Sequence, residues 1–150
     1  MVSNYKIFKT IAIVLGLIIF FWLIYDYQNS IRKVNQNYVE ANNNFLKKNY
    51  LKALDLYRKV SELEPNNLYA LEGEARCLMR LQNYNEALEV FKLVLKRDKN
   101  FVPALTNIAI LYDTIEDYEK AVKYYKIAIQ QDQRLLNRMS WFKRFIKNIH

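Results

Sequence analysis

Apolar residues recur at intervals of three and four along most of this chain, and that pattern is itself repeated. In the middle of the chain, Leu71, Ala75, Leu78 and Met79 form one helical stripe, and Ala87, Leu88, Phe91, Val94 and Leu95 form a second. A short polar break that ends in Tyr84 separates them. The same layout lies 34 residues away on both sides: Tyr50, Tyr84 and Tyr118 mark the break, Ala53, Ala87 and Ala121 follow it, and Tyr57, Phe91 and Tyr125 come one turn later. Neither helix of such a pair can bury its stripe alone. A sustained period of 34 therefore predicts an all-α array of stacked helix pairs.

The stretch Asn83-Tyr84-Asn85-Glu86-Ala87-Leu88 and its two near copies resemble the tetratricopeptide repeat family, over Val34 to about Gln133. The resemblance implies three helix-turn-helix units, 34–67, 68–101 and 102–133, wound into a right-handed superhelix. It also implies close helix contacts at the small residues Ala41, Ala75 and Ala109 on the first helices and Ala53, Ala87 and Ala121 on the second. A bulkier side chain there would overpack the contact, at roughly 1 to 3 kcal/mol. The first unit departs from the pattern, with Asn37, Glu40 and Asn44 at places that are mostly apolar elsewhere, as expected of an end helix with one face on solvent. Pro65 closes that unit, and Pro103 stands where it can open the first helix of the third.

In this family the first helices line a groove that takes a peptide or helix. Carried over by alignment, the groove face comprises Tyr38, Asn42 and Phe45 in the first unit, Tyr69, Glu72, Arg76, Met79 and Arg80 in the second, and Thr106, Ile110 and Asp113 in the third. Aromatic, sulfur and charged groups together suit a protein partner with apolar anchors and a few charges. A subgroup that grips chaperone C-termini uses a Lys/Asn/Asn/Lys/Arg set. Here only Asn42 matches it, with Tyr38, Gly73, Pro103 and Asn107 at the other four places, so no such clamp is expected.

The N-terminus adds a second element. An uncharged run from Thr10 to Tyr25 would make a helix of about 24 Å, and residues 5–27 with their flanks reach about 34 Å, enough to span a hydrocarbon core of roughly 30 Å with some tilt. Lys6 and Lys9 can snorkel, and Trp22, Tyr25 and Tyr27 suit an interface. A cleaved signal peptide is the alternative, but Tyr25-Asp26-Tyr27-Gln28-Asn29 offers no small-x-small site. The expected organisation is an anchor in 1–27 with its span at about 7–27, then a juxtamembrane helix at 28–33 that runs with little break into the first repeat. Lys9 abuts the apolar run whereas Arg32 and Lys33 stand farther off, which favours a cytoplasmic N-terminus with the repeats outside the cytoplasm.

The net charge of +8 looks like a nucleic-acid signal until it is located. Residues 1–33 carry +3, residues 34–133 carry zero, and residues 134–150 carry +5 with no acid. A neutral array with basic ends argues against nucleic acid as the partner. The last stretch has Leu135, Met139, Phe142, Ile146 and Ile149 at spacings of four and three, an amphipathic pattern expected to cap the last unit. Arg138, Trp141, Lys143, Arg144 and Lys147 beside that stripe are candidates for membrane or partner contact.

Catalytic chemistry has little to work with. Two glycines, one cysteine and one histidine, His150, leave no phosphate loop, nucleophile elbow, zinc-peptidase helix or paired-cysteine site. The expectation is a non-enzyme with no cofactor and no metal: a membrane-anchored scaffold that binds protein partners. A structural subunit that stacks with itself or with other repeat proteins is the alternative.

Overall fold

The computed structural model describes residues 2–135, with side chains from residue 7 onward. Among the described residues there are six α-helices and no strand. They are α1 (Val2–Leu46), α2 (Tyr50–Leu63), α3 (Leu68–Arg80), α4 (Tyr84–Arg97), α5 (Val102–Thr114) and α6 (Tyr118–Gln131). Each packs on the next, and α1 with α3 and α3 with α5 also touch, which sets α1, α3 and α5 side by side as one row. Of the C-terminal segment expected as a capping helix, only Arg134 and Leu135 fall within the described residues; Arg138, Trp141, Lys143, Arg144 and Lys147 lie outside them.

The 34-residue period is written into the turns as well as the stripes. α1, α3 and α5 end in the same backbone motif, with Lys48, Gln82 and Glu116 in the left-handed region at φ of 64°, 65° and 64°. The Asn49, Asn83 and Asp117 N–H groups each donate to the carbonyl five residues back, on Asn44, Leu78 and Tyr112, at 2.9 Å. These are Schellman turns, which satisfy carbonyls that the helix end leaves open. A side chain with a Cβ is strained in that conformation, so Gln82→Gly should stabilise the array by about 1 kcal/mol. A chemical-denaturation midpoint that falls for this variant would contradict the expectation.

The six alanines at the repeat contacts, 41, 53, 75, 87, 109 and 121, have no exposed surface, and the aromatics Tyr57, Phe91 and Tyr125 fill the space between them. Cys77 is fully buried on α3, and that burial pushes its thiol up to about 12, which fits a small core residue better than a reactive one. Pro103 lies in the first turn of α5, where a missing N–H costs nothing.

The solvent face expected for the polar first unit holds for Glu40 and fails for Asn44. Glu40 is exposed and pairs with Lys52 at 2.7 Å, but Asn44 is buried. Its amide donates to the Glu40 carbonyl one turn back at 2.9 Å and so brings its own partner into the core. Glu74, which stands in the second unit at the place of Glu40, accepts from Arg58 Nε at 2.9 Å across the α2–α3 contact.

The helix α1 is continuous from the apolar N-terminal run into the array. Its Ile7–Leu46 stretch is long and apolar enough to cross a membrane, and its most apolar window has no buried residue. A signal sequence passes the same test of length and composition. Farther along, Val34 and Ala41 of the same helix are buried against the repeats.

Candidate partner groove

The row formed by α1, α3 and α5 carries all eleven residues expected to line a groove, but it treats them differently. Tyr69 and Arg80 are exposed, with Tyr69 59% exposed. Tyr38, Asn42, Phe45, Arg76, Thr106, Ile110 and Asp113 are half-buried. Glu72 and Met79 are buried within the chain itself, at 6% and 9% exposure.

Two side-chain networks account for the buried ones. The first centres on Tyr57, which rises from α2 between α1 and α3. Its hydroxyl donates to Asn42 Oδ1 at 2.7 Å, its ring meets Tyr38 edge-to-face with centroids 6.0 Å apart, and Asn42 Nδ2 donates back to the Tyr38 carbonyl at 3.0 Å. Burial raises the Tyr57 phenol well above its ordinary range, so it remains a donor. The ring occupies the space where a side chain at position 73 would begin: a Cβ on Gly73 would lie 2.5 Å from Tyr57 Cε1 and 2.6 Å from its Cζ. Gly73 is therefore required by a ring 16 positions earlier in the chain.

The second network ties all three helices of the row together. Glu72 on α3 accepts from Asn107 Nδ2 on α5 at 2.6 Å, and its other oxygen lies 3.6 Å from Arg76 Nη1. The Arg76 guanidinium in turn lies over the Phe45 ring of α1, 4.1 Å from the centroid. Burial raises the Glu72 carboxyl, while Arg76 and the hydrogen bond from Asn107 act in the opposite direction. Phe45, Glu72 and Arg76 are thus brought together, with Glu72 and Arg76 holding each other at the floor of the row. Thr106 is likewise engaged, its hydroxyl donating to the Val102 carbonyl at 2.9 Å.

Open surface remains at the two ends of the row. Met79, Arg80, Tyr84, Ile110 and Thr114 border a hollow of about 220 Å³ near the Schellman turns. At the opposite end, Tyr69, Phe101, Pro103, Thr106 and Leu135 border a cleft of about 600 Å³, where Tyr69 packs edge-to-face on Phe101 at 5.1 Å. Phe101, Tyr84 and Asn107 were not marked by the helix-face alignment. Phe101 sits in the loop between units and Tyr84 opens a second helix, so neither shares the periodic stripe from which the face was read. Among the described residues no group of three or more His, Cys, Asp or Glu could hold a metal ion.

Comparison with known proteins agrees with this geometry. Two tetratricopeptide repeat family models match, one over residues 45–108 and the other over 104–139. No curated protein matches by sequence. Among solved structures, the TPR2B domain of yeast Sti1 in its pHsp70 complex superposes with a TM-score of 0.65 at 22% identity, covering 74% of this chain and 89% of that one. The first TPR of Spaghetti (RPAP3), bound to the HSP90 peptide SRMEEVD, gives 0.66 at 18% identity, covering 78% and 95%. The structure of MamA (MSR-1) gives 0.60 at 26% identity; this chain covers 58% of that one, with 67% of its own length matched.

Proposed function

The chain carries tetratricopeptide repeats, and from that premise we propose that it is a membrane-anchored, non-catalytic scaffold that captures a protein or peptide partner on the α1–α3–α5 row. The observation that carries the reading is the continuity of α1. One helix is exposed along its apolar run and packed into the repeats at Val34 and Ala41. An unbroken helix transmits orientation, so the groove is presented at a set height and angle to the bilayer. A partner held there is confined near the membrane, which raises its effective concentration toward other membrane components without any new contact. The repeats lie outside the cytoplasm, where the scaffold helps to organise an envelope assembly.

Peptide capture is known for the repeat domains of Sti1 and Spaghetti from their complexes. Their chaperone ligands are not carried over. Of the five clamp places only Asn42 matches, and it accepts from Tyr57, while Asn107 donates to Glu72. The contact surface is instead Tyr69, Arg80 and Ile110 with the ring of Phe45. Neither Arg76 nor Glu72 is a clean probe of it, because each holds the other.

Photocrosslinking from Tyr69 and Arg80 in cells, followed by identification of the captured chain, tests the reading. Tyr69→Ala with Arg80→Glu, both exposed, should reduce capture at least tenfold while the helical circular dichroism stays unchanged. Unchanged capture overturns the groove assignment. A topology reporter fused after His150 that signals from the cytoplasm overturns the sidedness.

A further inference from the structure

Resting on the reading of the α1–α3–α5 row as the capture surface, we infer that the partner segment it takes carries an acidic side chain next to a bulky apolar one. The acid meets Arg80 and Arg76 on α3, and the apolar side chain enters the hollow that Arg80 borders.

Arg76 and Arg80 stand one turn apart on α3, about 6 Å along its axis. Arg80 is exposed and takes part in none of the ion pairs found among the described residues. Arg76 Nη1 lies 3.6 Å from Glu72 Oε2, beyond a direct hydrogen bond, and the Phe45 ring covers only a face of its guanidinium. The N–H groups on the guanidinium edge therefore retain capacity for a second carboxylate. The acids of the row are engaged elsewhere. Glu72 is buried and accepts from Asn107 at 2.6 Å, while burial, and after it the Asp113 carboxylate, raises the Tyr125 phenol, which puts Asp113 on the α6 side.

Met79, Gln82, Tyr84, Ile110 and Thr114 complete the hollow around Arg80. Its volume of about 220 Å³ is below the roughly 300 to 1,000 Å³ of small-molecule pockets, so it has room for one side chain of a partner and not for a cofactor-sized ligand. Met79 and Ile110 give it apolar lining, and a methionine adapts to the shape of its guest. The Thr114 hydroxyl is spent on the Ile110 carbonyl at 2.7 Å, so that wall makes no demand for a polar guest.

The other end of the row has the opposite sign. Asp98 and Asp132 border the cleft at Tyr69, and Arg134 is held by Asp132 at 2.9 Å. Tyr69 and Arg80 are about 16 Å apart along α3. A partner's acid would meet carboxylates at the cleft and cations at the hollow, so the segment is oriented as well as selected.

A random dodecapeptide library displayed on phage, selected on the full chain in phosphatidylcholine nanodiscs, tests the assignment. Enriched peptides should carry Asp or Glu within about four positions of Leu, Ile, Met or Phe. For the best of them, made synthetically, Arg80→Gln should weaken binding about tenfold, Arg80→Lys should retain most of it, and Arg80→Glu should turn the selection toward Lys and Arg. Thr114→Phe, whose ring would fill the hollow, should also weaken binding about tenfold. Each variant is compared at unchanged helical circular dichroism. Enrichment without acids overturns the inference, and so does acid enrichment that survives Arg80→Glu, because it then arises from cations elsewhere in the chain. Peptides that lack acids but are lost on Tyr69→Ala leave the groove standing and remove only the acid site. If no peptide is selected, or if those selected ignore Tyr69→Ala, Arg80→Glu and Thr114→Phe alike, the groove reading fails and the acid site with it.

Discussion

Gly73→Ala is expected to destabilise the array by about 1 to 3 kcal/mol, although alanine is the better helix former by roughly 1 kcal/mol. The added methyl would come within 2.8 Å of three ring atoms of Tyr57, and the ring has no easy retreat. It is 1% exposed, anchored by its hydroxyl on Asn42, and backed by Tyr38. Removing the ring should therefore reverse the sign. In a Tyr57→Leu background, itself destabilised, Gly73→Ala should be neutral or stabilising. A double-mutant cycle by urea denaturation reads the coupling between positions 57 and 73 directly. Additive effects would show that the ring moves aside at little cost, contrary to the packing described above.

Arg76→Glu is expected to cost roughly 2 to 3 kcal/mol, below what breaking a fully buried pair costs because the Arg76 side chain is 32% exposed. The new carboxylate would stand beside Glu72, which is 6% exposed, and the cation over Phe45 would be lost. The pH dependence follows from the direction of the Glu72 shift. Its folded pKa is raised above the ordinary value of 4.5, first by burial and against the pull of Arg76. The folded chain then binds that proton more tightly than the unfolded chain does. The contribution of Glu72 to stability is most favourable below 4.5 and is lost as the pH rises through the raised folded value. Subtracting the stability profile of Glu72→Gln from that of the native chain should leave a difference that declines with rising pH above 4.5 and levels off beyond the folded value. A difference that grows with pH would mean that Arg76 outweighs burial. Asp117 behaves oppositely: its contacts with Lys120 lower its pKa, so its contribution is lost as the pH falls.

Much of the architecture was legible as text. The stripes at three- and four-residue spacing, the 34-residue period and the alanines at 41, 53, 75, 87, 109 and 121 report local helix geometry and close axis approach, and both are properties of spacing along one chain. The absence of Pro and Gly from Asn29 to Lys48 likewise foretold that α1 runs on without a break. The candidate site was legible only as a helix face. Asn44 is buried and satisfied by the Glu40 carbonyl where its polarity points to solvent, because a polar residue at a periodic position does not state whether it brings its own acceptor.

The sequence by itself determined the number and order of the described helices, the turn at each 34-residue step and the apolar start of α1, because each depends on residues within a turn or two of one another. Two facts about the site were decided only in three dimensions. Gly73 is required by Tyr57, and Glu72 and Arg76 face each other between Asn107 and the Phe45 ring. Each of these depends on how closely neighbouring helices approach and which rotamers that approach allows, and periodicity along a single helix carries no record of either.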